Sequence, residues 1–153
     1  MTDKSKPDPA VSLQAAFAAF EAGQAETAVA RFQDALNIDP NNTSALYFLA
    51  VIAYQQGHMP AALQHVSRVL SVKPELADCH NLHGLILMAL DRHEAACAAF
   101  ENAIAREPDF AEAENNLGAA LEAMGRPDAA LSAYRRATET SPRYAQAFYN
   151  LVR

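Results

Sequence analysis

Four of the eight prolines, Pro40, Pro74, Pro108 and Pro142, follow one another at intervals of 34 residues. A fixed period of this size marks a repeat architecture, and it governs how every other motif is read. The neighbourhoods agree: "ALNIDPNN", "VLSVKPEL", "AIAREPDF" and "ATETSPRY" each show an apolar helical end, a few polar residues and then proline. Proline cannot continue a helix, and it turns the residue before it away from helical geometry. Each of the four therefore marks a helix stop.

Alignment on these prolines brings out further columns. Twenty-four residues earlier stand Ala16, Ala50, Gly84 and Gly118, and twelve earlier Ala28, Ala62, Ala96 and Ala130. Eight earlier stand Phe32, Val66, Phe100 and Tyr134, and five earlier Ala35, Val69, Ala103 and Ala137. A break recurs mid-unit as "EAGQAE", "QQGHMP", "ALDRHE" and "AMGRPD". Each unit thus reads as two helices joined by a short turn. Two antiparallel helices come close only where side chains are small, which is the role of the Gly and Ala columns. Composition supports helix: 51% of the chain is apolar, alanine leads that fraction, and there is no tryptophan. Helices of about 13 residues are unstable alone, so each unit must lean on its neighbours.

The net charge of −6 argues against a nucleic-acid partner, which calls for a basic face, and against attachment to anionic lipid. The start, "MTDKSKPDPA", is polar and lacks the apolar stretch of a secretory signal. The longest apolar run, Leu85 to Leu90, is far too short for membrane insertion. Two cysteines without a signal do not make a disulfide framework. These features predict a soluble, cytoplasmic protein.

Small residues at unit positions 8 and 20, an aromatic at 24, a small residue at 27 and proline at 32 resemble the tetratricopeptide repeat. The stretch "AEAENNLGAALEAMGRPDAALSAYRRATETSP", residues 111 to 142, is close to its consensus. The resemblance covers four repeats, 9–42, 43–76, 77–110 and 111–144, after a disordered tail at 1–8. Residues 145–153, "AQAFYNLVR", begin a fifth or form a terminal helix. Position 4, usually large and apolar in the family, holds Ser12, Leu46, His80 and Glu114. The fold implied is all-α, an α-solenoid winding as a right-handed superhelix, with first helices lining a concave groove.

Positions 2, 5, 6, 9, 12 and 13 of the first helices line that groove in the family. Carried onto this chain, they predict a peptide-binding surface of Phe17, Tyr47, Val51, Tyr54, Leu85 and Met88, with Asn115, Asn116 and Asn150 as polar grips. Lysine and arginine are absent from those positions except at Arg153, which excludes the clamp that some family members close on acidic C-termini. An aromatic, apolar patch of this kind suits an extended peptide or an amphipathic helix. The competing reading puts Phe17, Phe20 and Phe48 in the seams between adjacent first helices, with Tyr47 and Tyr54 the more exposed pair. Asn116 and Asn150, in "NNLG" and "YNL", resemble the repeat subtype of O-linked N-acetylglucosamine transferases, where an asparagine ladder holds the peptide backbone. Phe48 and Leu82 interrupt such a ladder here.

One stretch looks chemical. "ADCHNLHG" gathers Asp78, Cys79, His80 and His83, all metal-ligand types. In the repeat register His80 and His83 fall on the packing face, while Cys79 and Asp78 point elsewhere. A zinc site needs convergent ligands, usually four, so the expectation is no metal and no cofactor. No glycine-rich phosphate loop or Ser–His–Asp arrangement is present, and no intrinsic enzyme activity is expected. The reading is a protein-interaction scaffold with a protein or peptide partner. The alternative is a substrate-recruiting or oligomerisation arm of a larger enzyme such as a glycosyltransferase. Phe148 and Leu151 would leave an apolar C-terminal edge open to self-association.

Overall fold

The structure, a computed structural model, describes residues 9–142. The tail at 1–8 and the segment 145–153, with Phe148, Asn150 and Leu151, lie outside the described residues. Among the described residues the fold is all-α, of the helical repeat solenoid type, with eight helices and no strand. They are α1 (Pro9–Glu21), α2 (Ala25–Ile38), α3 (Thr43–Gln55), α4 (Met59–Val72), α5 (Ala77–Ala89), α6 (His93–Arg106), α7 (Ala111–Ala123) and α8 (Pro127–Thr140). First helices start at 9, 43, 77 and 111, and second helices at 25, 59, 93 and 127, so both series keep the 34-residue interval. Two compact units divide the chain. The first ends at Val72 and holds α1–α4; the second begins at Lys73 and holds α5–α8.

The stops are where the prolines demand them. Helices α2, α4, α6 and α8 end two residues before Pro40, Pro74, Pro108 and Pro142. Asp39, Glu107 and Ser141, each directly before a proline, are extended, with φ of −128°, −133° and −146°. The turn inside each pair uses a left-handed residue. Gly23, Gly57 and Gly125 have φ of 71°, 76° and 68°, and Asp91 fills the same column at 56°. The carbonyls at the helix end are closed in the same way each time. In the second pair Gly57 N–H donates to Tyr54 O at 3.0 Å and His58 N–H to Ala53 O at 2.8 Å.

Within a pair, the small and large columns meet. Phe32, Val66 and Phe100 are wholly buried, and so are Ala16, Ala28, Ala50, Ala62, Ala96 and Ala130. A Cβ on Gly84 would run into the ring of Phe100, and one on Gly118 would stand 2.6 Å from Cε1 of Tyr134. Tyr134 is further fixed by its hydroxyl, which donates to Glu122 Oε2 at 3.1 Å. Burial first, and that bond second, push its phenol up to about 12.

Gly84→Ala tests the close approach. Helix propensity alone would favour alanine by about 1 kcal/mol, yet the buried Phe100 ring leaves no room, and overpacking costs about 1–3 kcal/mol. The urea midpoint should fall, and Phe100→Leu in the same chain should recover part of the loss. Leucine at Ala62 or Ala96 should cost a similar amount. Asp91→Gly should raise the midpoint, by about 1 kcal/mol, because glycine carries no penalty in that left-handed turn.

Candidate functional site

The first unit presents an aromatic face. Tyr47, Val51 and Tyr54 follow one stripe of α3, spaced four and three residues apart, and all three are half-buried. Beneath them Phe48 is the hub of a ring cluster. Its centroid lies 5.0 Å from Phe17 and from Phe20, 5.5 Å from the wholly buried Phe32 and 5.4 Å from Tyr47. Most of these pairs are edge-to-face, the arrangement that ring quadrupoles favour. Phe17, Phe20 and Phe48 therefore fill the seam where α1, α2 and α3 meet, while each stays half-buried rather than sealed. The tyrosine stripe stands on that rigid bed.

The second unit carries a mixed face. On α5, Asn81, Leu85 and Met88 share a stripe; on α7, Glu112, Asn116 and Ala119 do the same. Leu85 and Met88 are half-buried and pack against the core of α5–α8. Asn81, a groove position by register, is in fact only 5% exposed. Its amide bridges the two helices: Nδ2 donates to Glu112 Oε1 at 3.1 Å, and Oδ1 accepts from Asn116 Nδ2 at 3.0 Å. Asn115, one residue away, holds a buried Oδ1 with no hydrogen-bond partner.

The "ADCHNLHG" stretch resolves into separate roles. Cys79 is buried and its thiol is pushed up to about 12, by burial first and then by Asp78. Asp78 is exposed. His80 is buried, and its Nε2 donates to the Pro74 carbonyl at 2.9 Å; Arg106 Nε donates to the same oxygen at 2.6 Å. His83 is half-buried, and burial, then His80, hold its pKa below the ordinary value. Among the described residues no three His, Cys, Asp or Glu side chains converge as metal ligands.

A further polar residue at position 4, Glu114, is 4% exposed; its Oε1 accepts from Arg136 Nε at 3.0 Å, and its Oε2 is buried without a partner. The sequence alone marks Ser12, His80 and Glu114 as irregular at position 4 but does not identify the partners of the last two. The signal that could have found them is chemical: a polar group in a buried column must be answered by another. Among the described residues no helix is long and apolar enough to cross a membrane.

Comparison with known proteins agrees with this architecture. Models of the tetratricopeptide repeat match residues 19–86, and 81–145 with 120–153. No curated protein matches the sequence. Among solved structures, the MamA protein aligns with a TM-score of 0.84 at 23% identity, over 94% of this chain and 80% of its own. The pilF protein of Pseudomonas aeruginosa aligns with a TM-score of 0.84 at 22% identity, over 94% and 67%. A thermophilic TPR protein of Thermus thermophilus aligns with a TM-score of 0.79 at 20% identity, over 94% and 81%. Identities this low establish a shared fold.

Two outcomes follow from the buried polar groups. Arg136→Met strands the Glu114 carboxylate and should cost about 1–3 kcal/mol, whereas Glu114→Leu removes the charge itself and should cost less, or even stabilise. Urea melts of the two variants rank them. His83 and His65 both titrate below the ordinary histidine value of 6.5, each mainly through burial. The unfolded chain then binds more protons in the window below 6.5, so stability is full above it and falls as the pH drops toward the lowered folded values. His83→Asn should flatten that fall.

Proposed function

The chain belongs to the tetratricopeptide repeat family, and on that premise we propose that it is a non-catalytic scaffold that binds an extended or helical segment of a partner protein along its first helices. The observation that carries this reading is the stripe of Tyr47, Val51 and Tyr54, half-exposed on α3 above packed phenylalanines. Tyrosine combines a large apolar ring with a polar tip and loses little entropy on binding, which makes it a natural anchor. Phe17 borders this stripe. In the second unit Leu85 and Met88 supply apolar contact, and Asn115 and Asn116 supply amides that can meet a peptide backbone. Affinities near micromolar, about −8 kcal/mol, fit such a surface.

A second reading is favoured by one observation, the half-buried amide of Asn116, which keeps an N–H and its carbonyl oxygen beyond its bond to Asn81. Neighbouring amides that hold backbone rather than side chains suit a recruiting arm for varied substrates of a larger enzyme, as in the glycosyltransferase subtype.

Tyr47→Ala/Tyr54→Ala decides on the first reading. Crosslinked pull-downs with wild type should recover a discrete partner, and the double variant, with unchanged circular dichroism, should lose at least about tenfold of it. Undiminished recovery sinks the proposal; recovery that depends on Asn116→Ala instead moves it to the second unit.

A further inference from the structure

Two pairs of metal-ligand side chains, three of them sulfur donors, lie at one end of the second unit. Met88 lies near the C-terminal end of α5, His93 and Cys97 lie on the first turns of α6, and Met124 caps α7. His93 and Cys97 are four residues apart and share a face of α6. His93 Nδ1 stands 3.4 Å from Met88 Sδ, and Cys97 Sγ stands 3.8 Å from Met124 Sδ. His93 and Met124 line the same shallow depression, of about 570 Å³. Cys97 belongs to the core cluster on which both Met88 and Met124 pack.

We propose that Met88, His93, Cys97 and Met124 form a binding site for a soft monovalent cation, copper(I). Thioether sulfur is a weak hydrogen-bond acceptor, so hydrogen bonding gains little from facing each sulfur with an imidazole or a thiol. A soft metal gains from all four lone pairs. First-row metal bonds of roughly 2.3 Å to sulfur and 2.0 Å to nitrogen, at tetrahedral angles, place ligand atoms roughly 3.5 Å (N to S) and 3.8 Å (S to S) apart. The two measured separations, 3.4 and 3.8 Å, have that size.

The donor set also selects the metal. Only His93 and Cys97 are types that zinc takes, whereas two neutral thioethers favour copper(I). The surroundings are net acidic. Asp91, Glu94 and Glu101 outnumber Arg92 and Arg126 near His93 and Cys97. Asp91 Oδ1 is 3.9 Å from His93 Nε2, on the side that leaves Nδ1 free for a metal. On loading, the Cys97 S–H bond breaks, a Cu–S bond forms, and the proton leaves to solvent. The repeat fold does not demand these residues. Tyr54, Met59, Leu63 and Leu90 occupy the corresponding positions one repeat earlier, and Glu122, Pro127 and Leu131 three of them one repeat later.

Anaerobic titration of the full chain with copper(I), in competition with bicinchoninate, tests the site. One equivalent should be drawn from the chelator, and Met88→Leu/Met124→Leu and Cys97→Ser should each weaken binding at least about tenfold. Leucine keeps the volume of methionine, so the fold should hold, which circular dichroism verifies. Met59→Leu and Cys79→Ser should change nothing. With methyl-labelled methionine, the Met88 and Met124 signals should move on copper(I) addition while Met59 stays. Three results overturn the proposal: no competition with the chelator, binding that survives loss of both methionines, or binding that follows Cys79.

Discussion

Each helix pair depends on one contact, a residue with little or no side chain on the first helix facing a large one on the second. Where the large residue is Phe100 or Tyr134, glycine faces it, and the ring occupies the space a Cβ would need. Where it is Val66, alanine takes the small column, and in the first pair alanine also stands in the column facing Phe32; Ala16, Phe32, Ala50 and Val66 are all wholly buried. The distance between the helices sets the rest. It lets a short turn with one left-handed residue join them, and it brings the alanine columns of both helices to zero exposure. Asp91 shows how strongly the turn is imposed, since it adopts the geometry that glycine adopts in the other three pairs.

The irregular column at position 4 follows a different rule. Leu46 fills it apolarly and is wholly buried. Ser12, His80 and Glu114 put a polar group into the same shell; His80 is answered by the Pro74 carbonyl, and Glu114 by an arginine from the second helix of its own pair. Arg106 joins His80 on the Pro74 carbonyl, so the loop, the first helix and the second helix are tied at one oxygen. Arg136 meets Glu114 directly. A buried carboxylate with one oxygen unpaired is a costly way to fill the position, and its retention of shape rests on the arginine.

How much of this was legible in the sequence depends on whether the signal repeats. The helix starts, the proline stops, the turn column and the small-against-large pairs recur four times, so one chain contains its own alignment, and the structure places those elements at the same interval. The site was less legible because its contacts cross between helices at unrepeated positions. Register put Asn81 in the groove, yet its amide is drawn under by Glu112 on one side and Asn116 on the other. Phe48 reads as a groove or a seam residue with equal justice; four ring neighbours show that its main work is in the seam. The sulfur contacts of Met88 and Met124 gave no pattern, since residues 88, 93, 97 and 124 have no fixed spacing to recognise.

The two units therefore offer a partner different chemistry. In the first, the ring bed beneath Tyr47 is already packed before anything binds, so little ordering is needed when a partner covers the stripe. In the second, a relay links two first helices: Asn116 gives one of its two amide hydrogens to Asn81, and Asn81 gives one of its own to Glu112. The relay leaves one N–H and the carbonyl oxygen of the Asn116 amide beside the Glu112 carboxylate, both on half-buried residues. With a net charge of −6 on the chain and no lysine or arginine on α1, α3, α5 or α7, the first helices offer an acidic tail no electrostatic attraction.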